Sequence, residues 1–258
     1  MLQFHFFFAL LISFTASTNV HAADLIPLTA AADPWPPYID DTVDGGGVSV
    51  ELADAAFRTQ GYTVTNRIVP WARAMEEVKH GRVDLILDAW WTQERSNDYM
   101  FSRPYLDGPL KFIKKRTDKF VYTSLESLRN KSLALVRDYG YGDRLLSSKE
   151  YRPVDVSDFL LGIRMLEAGR VDLAIENELV ARTRLAKESP SSLEKLAFVE
   201  PAISNNYVYV MSGYKNPQHA KIIAAFNQGL MEITANGTFE KIVKKHHLTM
   251  PAMLTTNQ

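Results

Sequence analysis

Gly81–Tyr105 reads GRVDLILDAWWTQERSNDYMFSRPY, and its apolar run Val83–Leu87 has the length and content of a buried strand. The run opens into Trp90-Trp91 and then into Thr92-Gln93-Glu94-Arg95, a polar segment that reads as the start of a short helix. Thr92 suits the N-cap, because its hydroxyl can accept an N–H left free in the first turn. Arg95 is the anomaly. A cation in a first helical turn faces the positive end of the macrodipole, at a cost of roughly 0.3–1 kcal/mol. A bound anion would reverse that sign, and helix N–H groups beside a forked guanidinium make a site for a carboxylate. The alternative is a surface arginine paired with Glu94 or Asp98.

Working outward, strands and helices alternate. Leu25–Ala30 reads as a strand that leads into the rigid aromatic loop Asp33-Pro34-Trp35-Pro36-Pro37-Tyr38. Gly45-Gly46-Gly47 is a turn, and Val48–Gln60 a helix with Val50, Leu52, Ala53 and Phe57 inward. Tyr62–Ile68 alternates and is rich in β-branched residues, as a strand requires. Pro70 opens a helix that ends near Gly81, ahead of the Val83–Leu87 strand. This β-α-β-α-β order predicts a largely parallel sheet with helices on both faces.

A second unit follows, with strands at Leu110–Lys114, Ser132–Val136 and Val171–Ile175, a short helix at Leu125–Arg129 and a helix over Asp158–Ala168. Ala168-Gly169-Arg170-Val171-Asp172 echoes His80-Gly81-Arg82-Val83-Asp84, each reading as helix end, glycine cap and buried strand. Tyr207–Met211 is a further strand, and helices are expected over Pro217–Ala235 and Gly237–Lys245. Together these readings predict an α/β fold of two similar lobes joined by crossing strands.

Composition narrows the function. With 258 residues, 46% hydrophobic and 23% charged, and a net charge of -1, the chain has no basic excess for nucleic acid or membrane surfaces. Cysteine is absent, which removes disulfides, thiol catalysis, thiolate metal sites and lipid attachment at a cysteine. The six histidines have no metal-ligand spacing; His246 and His247 would point about 100° apart on a helix. No metal or cofactor is expected. Residues 1–22 read as a signal peptide: Phe6–Phe14 is too short to span a bilayer, and Val20-His21-Ala22 fits a small-residue cleavage site. Export without disulfides suits a bacterial periplasm.

The order of PWPPY at Pro34–Tyr38, GRVDLI at Gly81–Ile86, TQER at Thr92–Arg95, FSRPY at Phe101–Tyr105, LEAGRVDLAIEN at Leu166–Asn177 and NGTFEKIVKKHHL at Asn236–Leu248 resembles the periplasmic solute-binding protein family 3. These are receptors of polar amino acid uptake systems. The resemblance implies the type II periplasmic binding protein fold, in which two Rossmann-like α/β lobes close over a small ligand. It places residues 23–108 and 206–258 in the first lobe and residues 109–205 in the second, with hinges near Tyr105–Pro109 and Ser204–Tyr207. It also implies a monomer that binds a carboxylate-bearing solute, an amino acid or derivative, without turning it over, and a membrane permease as partner.

The family's site residues map unevenly onto the chain. Thr92 and Arg95 occupy the segment that binds the ligand carboxylate, and Tyr38, with Trp35 before it, the position that packs on the ligand. In the second lobe Tyr139-Gly140-Tyr141 replaces a Gly-Thr/Ser turn. Asn177, preceded by Glu176, stands where an aspartate commonly takes the ligand ammonium, so Glu176 or Asp88 is left to supply that contact. Asp88-Ala89-Trp90-Trp91 replaces small residues, and with Trp35, Trp71, Tyr139 and Tyr141 these predict an aromatic-lined pocket able to stack on a ring or hold a cation, at about 0.5–2 kcal/mol per contact. Core packing is the competing reading for Trp71 and Trp91, and Arg73 is either a second anion contact or part of a solvated helix face. Two rivals stay open. A dehydratase-like enzyme on the same scaffold would use Glu176 as a general acid or base, and a sensory receptor would dock on a signalling protein.

Overall fold

A computed structural model describes residues 25–255, so the expected signal peptide lies outside the described residues. In chain order the elements are β1 (Ile26–Ala32), α1 (Val48–Thr59), β2 (Tyr62–Ile68), α2 (Trp71–Lys79), β3 (Ile86–Trp90), β4 (Tyr99–Phe101), β5 (Leu106–Lys115), β6 (Ser132–Val136), α3 (Asp143–Leu146) and β7 (Arg152–Val156). They continue with α4 (Phe159–Glu167), β8 (Leu173–Asn177), α5 (Glu178–Glu188), α6 (Pro190–Lys195), β9 (Leu196–Phe198), β10 (Ser204–Gly213), α7 (His219–Ala235), α8 (Thr238–Lys245) and α9 (Ala252–Thr255). Single 3-10 turns stand at Arg95–Asn97 and Leu125–Leu128.

The first lobe is a β-α-β-α-β unit. β1 and β2 run parallel, Ile26 opposite Tyr62 through Ala32 opposite Ile68, and a parallel bridge from Ala30 to Leu85 brings β1 beside the approach to β3. β3 pairs antiparallel with β10, β10 with β5, and β5 with β8. The second lobe is completed by β8, β6 and β7 in parallel. The long strands β5 and β10 therefore pass between the lobes as an antiparallel pair, Leu106 opposite Val208 through Leu110 opposite Ser204.

The paired GRVD echoes have the same physical basis. Asp84 accepts hydrogen bonds from the Thr29 N–H and hydroxyl, both at 2.8 Å. Asp172 accepts from the Ser132 N–H at 2.7 Å and its hydroxyl at 2.6 Å. In each lobe an aspartate leading into one strand fixes the start or middle of a neighbouring strand from the side, with N–H groups that would otherwise need other partners.

Strand bounds differ from the sequence reading. β3 lies three residues later than expected and extends to Trp90, because Val83–Leu85 is held by Asp84 and the Ala30 bridge while the antiparallel pairing to β10 begins at Ile86. All five β3 residues are buried, which carries Asp88 and Trp90 to the inner end of the strand. The segment after Thr92 forms only a three-residue 3-10 turn, so the macrodipole argument for Arg95 falls; Thr92 Oγ1 still accepts the Arg95 N–H, at 3.1 Å. α5 went unread because its apolar face is narrow, with Val180, Ala181 and Leu185 buried among arginine, glutamate and lysine.

The first-lobe core forms where α1 meets α7. Phe57 and Phe226 lie 5.6 Å apart and Tyr105 packs edge-on to Phe226. Gly229 permits the approach: a Cβ there would stand 2.0 Å from the Ala56 carbonyl oxygen.

Candidate functional site

The site is assembled where β1, β3 and the Tyr139 turn meet. The ends of β1 and β3 deliver Asp33, Trp35, Asp88 and Trp90 from the first lobe, and the loop after β6 delivers Tyr139 and Gly140 from the second. With Trp71 at the start of α2 and Arg95 in the 3-10 turn, these groups line a small, tightly walled pocket. Binding at the carboxyl ends of sheet strands follows from α/β topology, since the loops there converge.

Arg95 is 7% exposed and lies in the wall rather than on a solvated face. One terminal nitrogen donates to the Trp90 carbonyl at 2.6 Å, the other to the Asp138 carbonyl of the opposite lobe. Its guanidinium carbon stands 5.2 Å from the centre of the Trp71 ring, and burial lowers its pKa to about 10. Two bonds leave three of the five guanidinium N–H groups for other acceptors. Gly140 admits this packing, because a Cβ there would lie 2.9 Å from Arg95 Nη1.

Further hydrogen bonds cross between the lobes. Trp71 Nε1 donates to the Asp138 carbonyl at 2.9 Å, Tyr139 Oη to Asp33 at 2.8 Å, and Trp35 Nε1 to Glu176 at 3.2 Å. Trp35, Trp71, Trp90, Tyr139 and Tyr141 form a continuous aromatic set, with Trp90 edge-on to Trp35 and Tyr139.

Three carboxyl groups gather here. Burial raises Asp33 to about 6, with the Tyr139 hydrogen bond pulling the other way. Burial raises Glu176 to about 7, partly offset by bonds from the Asn177 N–H and from Trp35. Asp88 is pushed well above its ordinary value, first by burial and then by the charge of Asp33, while Arg95 opposes. Asp88 Oδ1 and Glu176 Oε2 are buried acceptors without a protein partner, as is the donor Trp90 Nε1. Glu176 lies behind Trp35 and does not line the cavity, but Asp88 and Trp90 do. Orphaned buried polar atoms carry a desolvation penalty of about 1–3 kcal/mol each, so an unpartnered acceptor and donor on one lining mark a place for a polar ligand.

Other candidates lie elsewhere. Tyr38 does not line the cavity; it is buried and stacks behind Trp35 at 4.5 Å, its hydroxyl directed to the Asp107 carbonyl at 3.4 Å. Thr92 and Tyr141 border a wider, more open groove that Arg95 also lines. Tyr141 Oη accepts the Val136 N–H at 3.0 Å, so that phenol also braces its own loop. Asn177 caps α5, its Oδ1 accepting from Leu179 and Val180 at 2.9 and 3.2 Å. Trp91 is 44% exposed and Trp71 is buried in the wall. Arg73 pairs with Glu77 on a solvated helix face. Sequence reasoning missed Asp33. Its position at the end of a predicted strand was a signal, but its partner Tyr139 lies 106 residues away.

Comparison with known proteins agrees with this architecture. The arginine-binding periplasmic protein of Mannheimia haemolytica is 25% identical over 240 residues, covering 90% of this chain and 94% of that protein. A histidine kinase sensor domain with similarity to periplasmic binding proteins superposes with a TM-score of 0.74 at 25% identity, covering 86% of this chain and 95% of that one. The amino acid ABC transporter substrate-binding protein of Streptococcus pneumoniae, solved bound to L-arginine, gives a TM-score of 0.68 at 22% identity, over 85% and 94% of the two chains. The fold is that of type II periplasmic binding proteins. The profile of the bacterial extracellular solute-binding proteins, family 3, matches residues 28–249, nearly the whole described chain, and the protein belongs to that family.

Proposed function

We propose that this chain is an extracytoplasmic receptor for an amino acid or amino-acid derivative, captured by closure of its two lobes and passed to an uptake permease. One observation carries the reading: the buried guanidinium of Arg95 and the buried Asp88 carboxyl, whose Oδ1 lacks a partner, line one pocket together with Tyr139 and Gly140 of the second lobe. Arg95, with its remaining N–H groups, is the anchor for the ligand carboxylate, and Thr92 braces its backbone. Asp88 or Glu176 takes the ammonium, and Trp35, Trp71, Trp90 and Tyr139 enclose the carbon skeleton. Tyr38, Tyr141 and Asn177 act behind this wall, by holding Trp35, the Tyr139 loop and the start of α5.

Residues 23–108 and 206–258 would move as one lobe against residues 109–205, bending near Tyr105–Pro109 and Ser204–Tyr207. A ligand stabilises the closed form only through contacts made to both sides. We infer a monomer that leaves its ligand unchanged; the family match and the binding protein among its relatives support the second part. A sensory role is the second reading, favoured by the likeness to a histidine kinase sensor domain. Release of the ligand to a purified permease, rather than to a kinase, would separate the two.

The test is a thermal-shift screen of mature protein refolded free of ligand, with amino acids, amines, betaines and small aromatic acids, run beside Arg95→Ala. A ligand at 100 times its dissociation constant adds about 2.7 kcal/mol of stability, a shift of roughly 5–11 °C. A hit that Arg95→Ala abolishes supports carboxylate capture. A hit confined to amines, or one that Arg95→Ala leaves intact, overturns that role.

A further inference from the structure

The charges around the cavity do not balance for a zwitterion. Asp33 and Asp88 line it, Glu176 lies one hydrogen bond behind Trp35, and Arg95 is the one cation in the lining. Arg184, whose charge acts on Asp33 and Glu176, is bound to Glu188 at 3.0 Å. An amino acid with a neutral side chain brings one carboxylate and one ammonium and leaves the excess of carboxyl groups unchanged. Asp33 already accepts the Tyr139 hydroxyl, whereas Asp88 is 6% exposed, lines the cavity and keeps Oδ1 unpartnered. Asp88 therefore has the acceptor, the burial and the position to receive a second positive group.

We infer that Asp88 selects solutes of net positive charge, taking a side-chain guanidinium or ammonium group on its free carboxyl oxygen. The inference rests on the receptor reading above and adds the charge class of the ligand. The indoles of Trp71 and Trp90 line the same space, and an indole face turned to a cation adds to its binding. The groups facing Asp88 are Asp33 from the β1 end, Arg95 from the turn after β3 and Tyr105 from the start of β5. Of these only Arg95 stabilises the ionised form, while burial and Asp33 favour the protonated one. A cation on the free oxygen shifts Asp88 toward its ionised form, and the proton given up leaves to solvent.

Isothermal titration with L-arginine, L-citrulline and agmatine tests this. Citrulline keeps the amino acid end and the shape of arginine but lacks the side-chain charge, and agmatine keeps the charge but lacks the carboxylate. Arginine should bind about 100-fold more tightly than citrulline, the effect of one hydrogen-bonded charge pair. Repeating the titration near pH 6.5 in buffers of different ionisation enthalpy should show release of a proton with arginine. Asp88→Asn should bring arginine and citrulline to within a few-fold of each other and abolish Asp88's share of the proton release. Equal binding of arginine and citrulline in the native protein overturns the inference and leaves the amino acid receptor standing. An unchanged arginine preference or proton release in Asp88→Asn overturns the assignment to Asp88. Agmatine binding as tightly as arginine keeps the charge selection and overturns the Arg95 carboxylate anchor instead. Binding of none of the three overturns the inference; a neutral amino acid that still stabilises the protein would then preserve the receptor reading. If Asp88→Asn does not fold, the arginine–citrulline contrast in the native chain decides.

Discussion

Arg95 Nη2 and Trp71 Nε1 converge on a single acceptor, the Asp138 carbonyl, and Tyr139, the next residue, donates to Asp33. One turn of the second lobe thus meets three first-lobe residues. Replacing Tyr139 with Phe removes the 2.8 Å bond to Asp33 while keeping the ring, and should weaken closure by about 1 kcal/mol, or roughly fivefold. Ligand affinity measured by titration should fall by that factor with the melting temperature nearly unchanged. The buried carboxyl groups predict a pH dependence of the ligand-free protein. Asp33 and Glu176 have folded pKa values of about 6 and about 7, above ordinary carboxyl values, so the folded protein binds protons more tightly than the unfolded chain. Stability should therefore fall as pH rises from about 4 to about 8, by at most about 3 kcal/mol per group. Lobe opening relieves part of this cost by rehydrating the carboxylates. Asp33→Asn combined with Glu176→Gln should flatten the melting temperature across that window. Asp172, lowered by its bonds from Ser132, works in the opposite sense, its contribution being lost only as pH falls below the ordinary carboxyl range.

At the scale of elements, the strand-fixing aspartates are a test of how the lobes hold together. Asp172→Ala strips two short bonds from Ser132 and should cost about 2–4 kcal/mol, seen as a lower midpoint in denaturant with an unchanged slope. Gly229→Ala drives a methyl group into the Ala56 carbonyl across the α1–α7 contact and should cost about 1–3 kcal/mol or more in melting stability. Most of this frame could be read from the chain, since the Gly-Arg-Val-Asp segments carry both a glycine cap and a buried run. The short pieces could not. β4 and β9 are three residues each, and their existence depends on pairing with β10 and β5, strands distant in sequence. The site was half legible for the same reason. Thr92 and Arg95 are linked by a local turn that their own sequence sets up. Asp33 and the Asp138 carbonyl acquire these contacts only when the opposite lobe arrives, and the depth of Tyr38, stacked on Trp35, is not written in the Pro-rich loop.

For the whole molecule, the proposed receptor function makes the equilibrium between open and closed lobes the governing quantity. A ligand touching both walls should shrink the radius of gyration measured by small-angle scattering, while one held by a single lobe should leave it unchanged. Among the described residues no helix is long and apolar enough to cross a membrane. The path of the chain through them has a further consequence. β10 lies between β3 and β5, and α7 covers α1, so the first lobe is built from segments at both ends of the described chain with the second lobe inserted between them. A chain emerging from its N-terminus can finish the second lobe while the first still lacks a central strand and the helix that shields Phe57. The first lobe cannot close its core until nearly the last helix is delivered. Vectorial synthesis thus leaves the leading half unfinished and pliable until late, the condition in which a polypeptide can still be threaded through a narrow translocation pore.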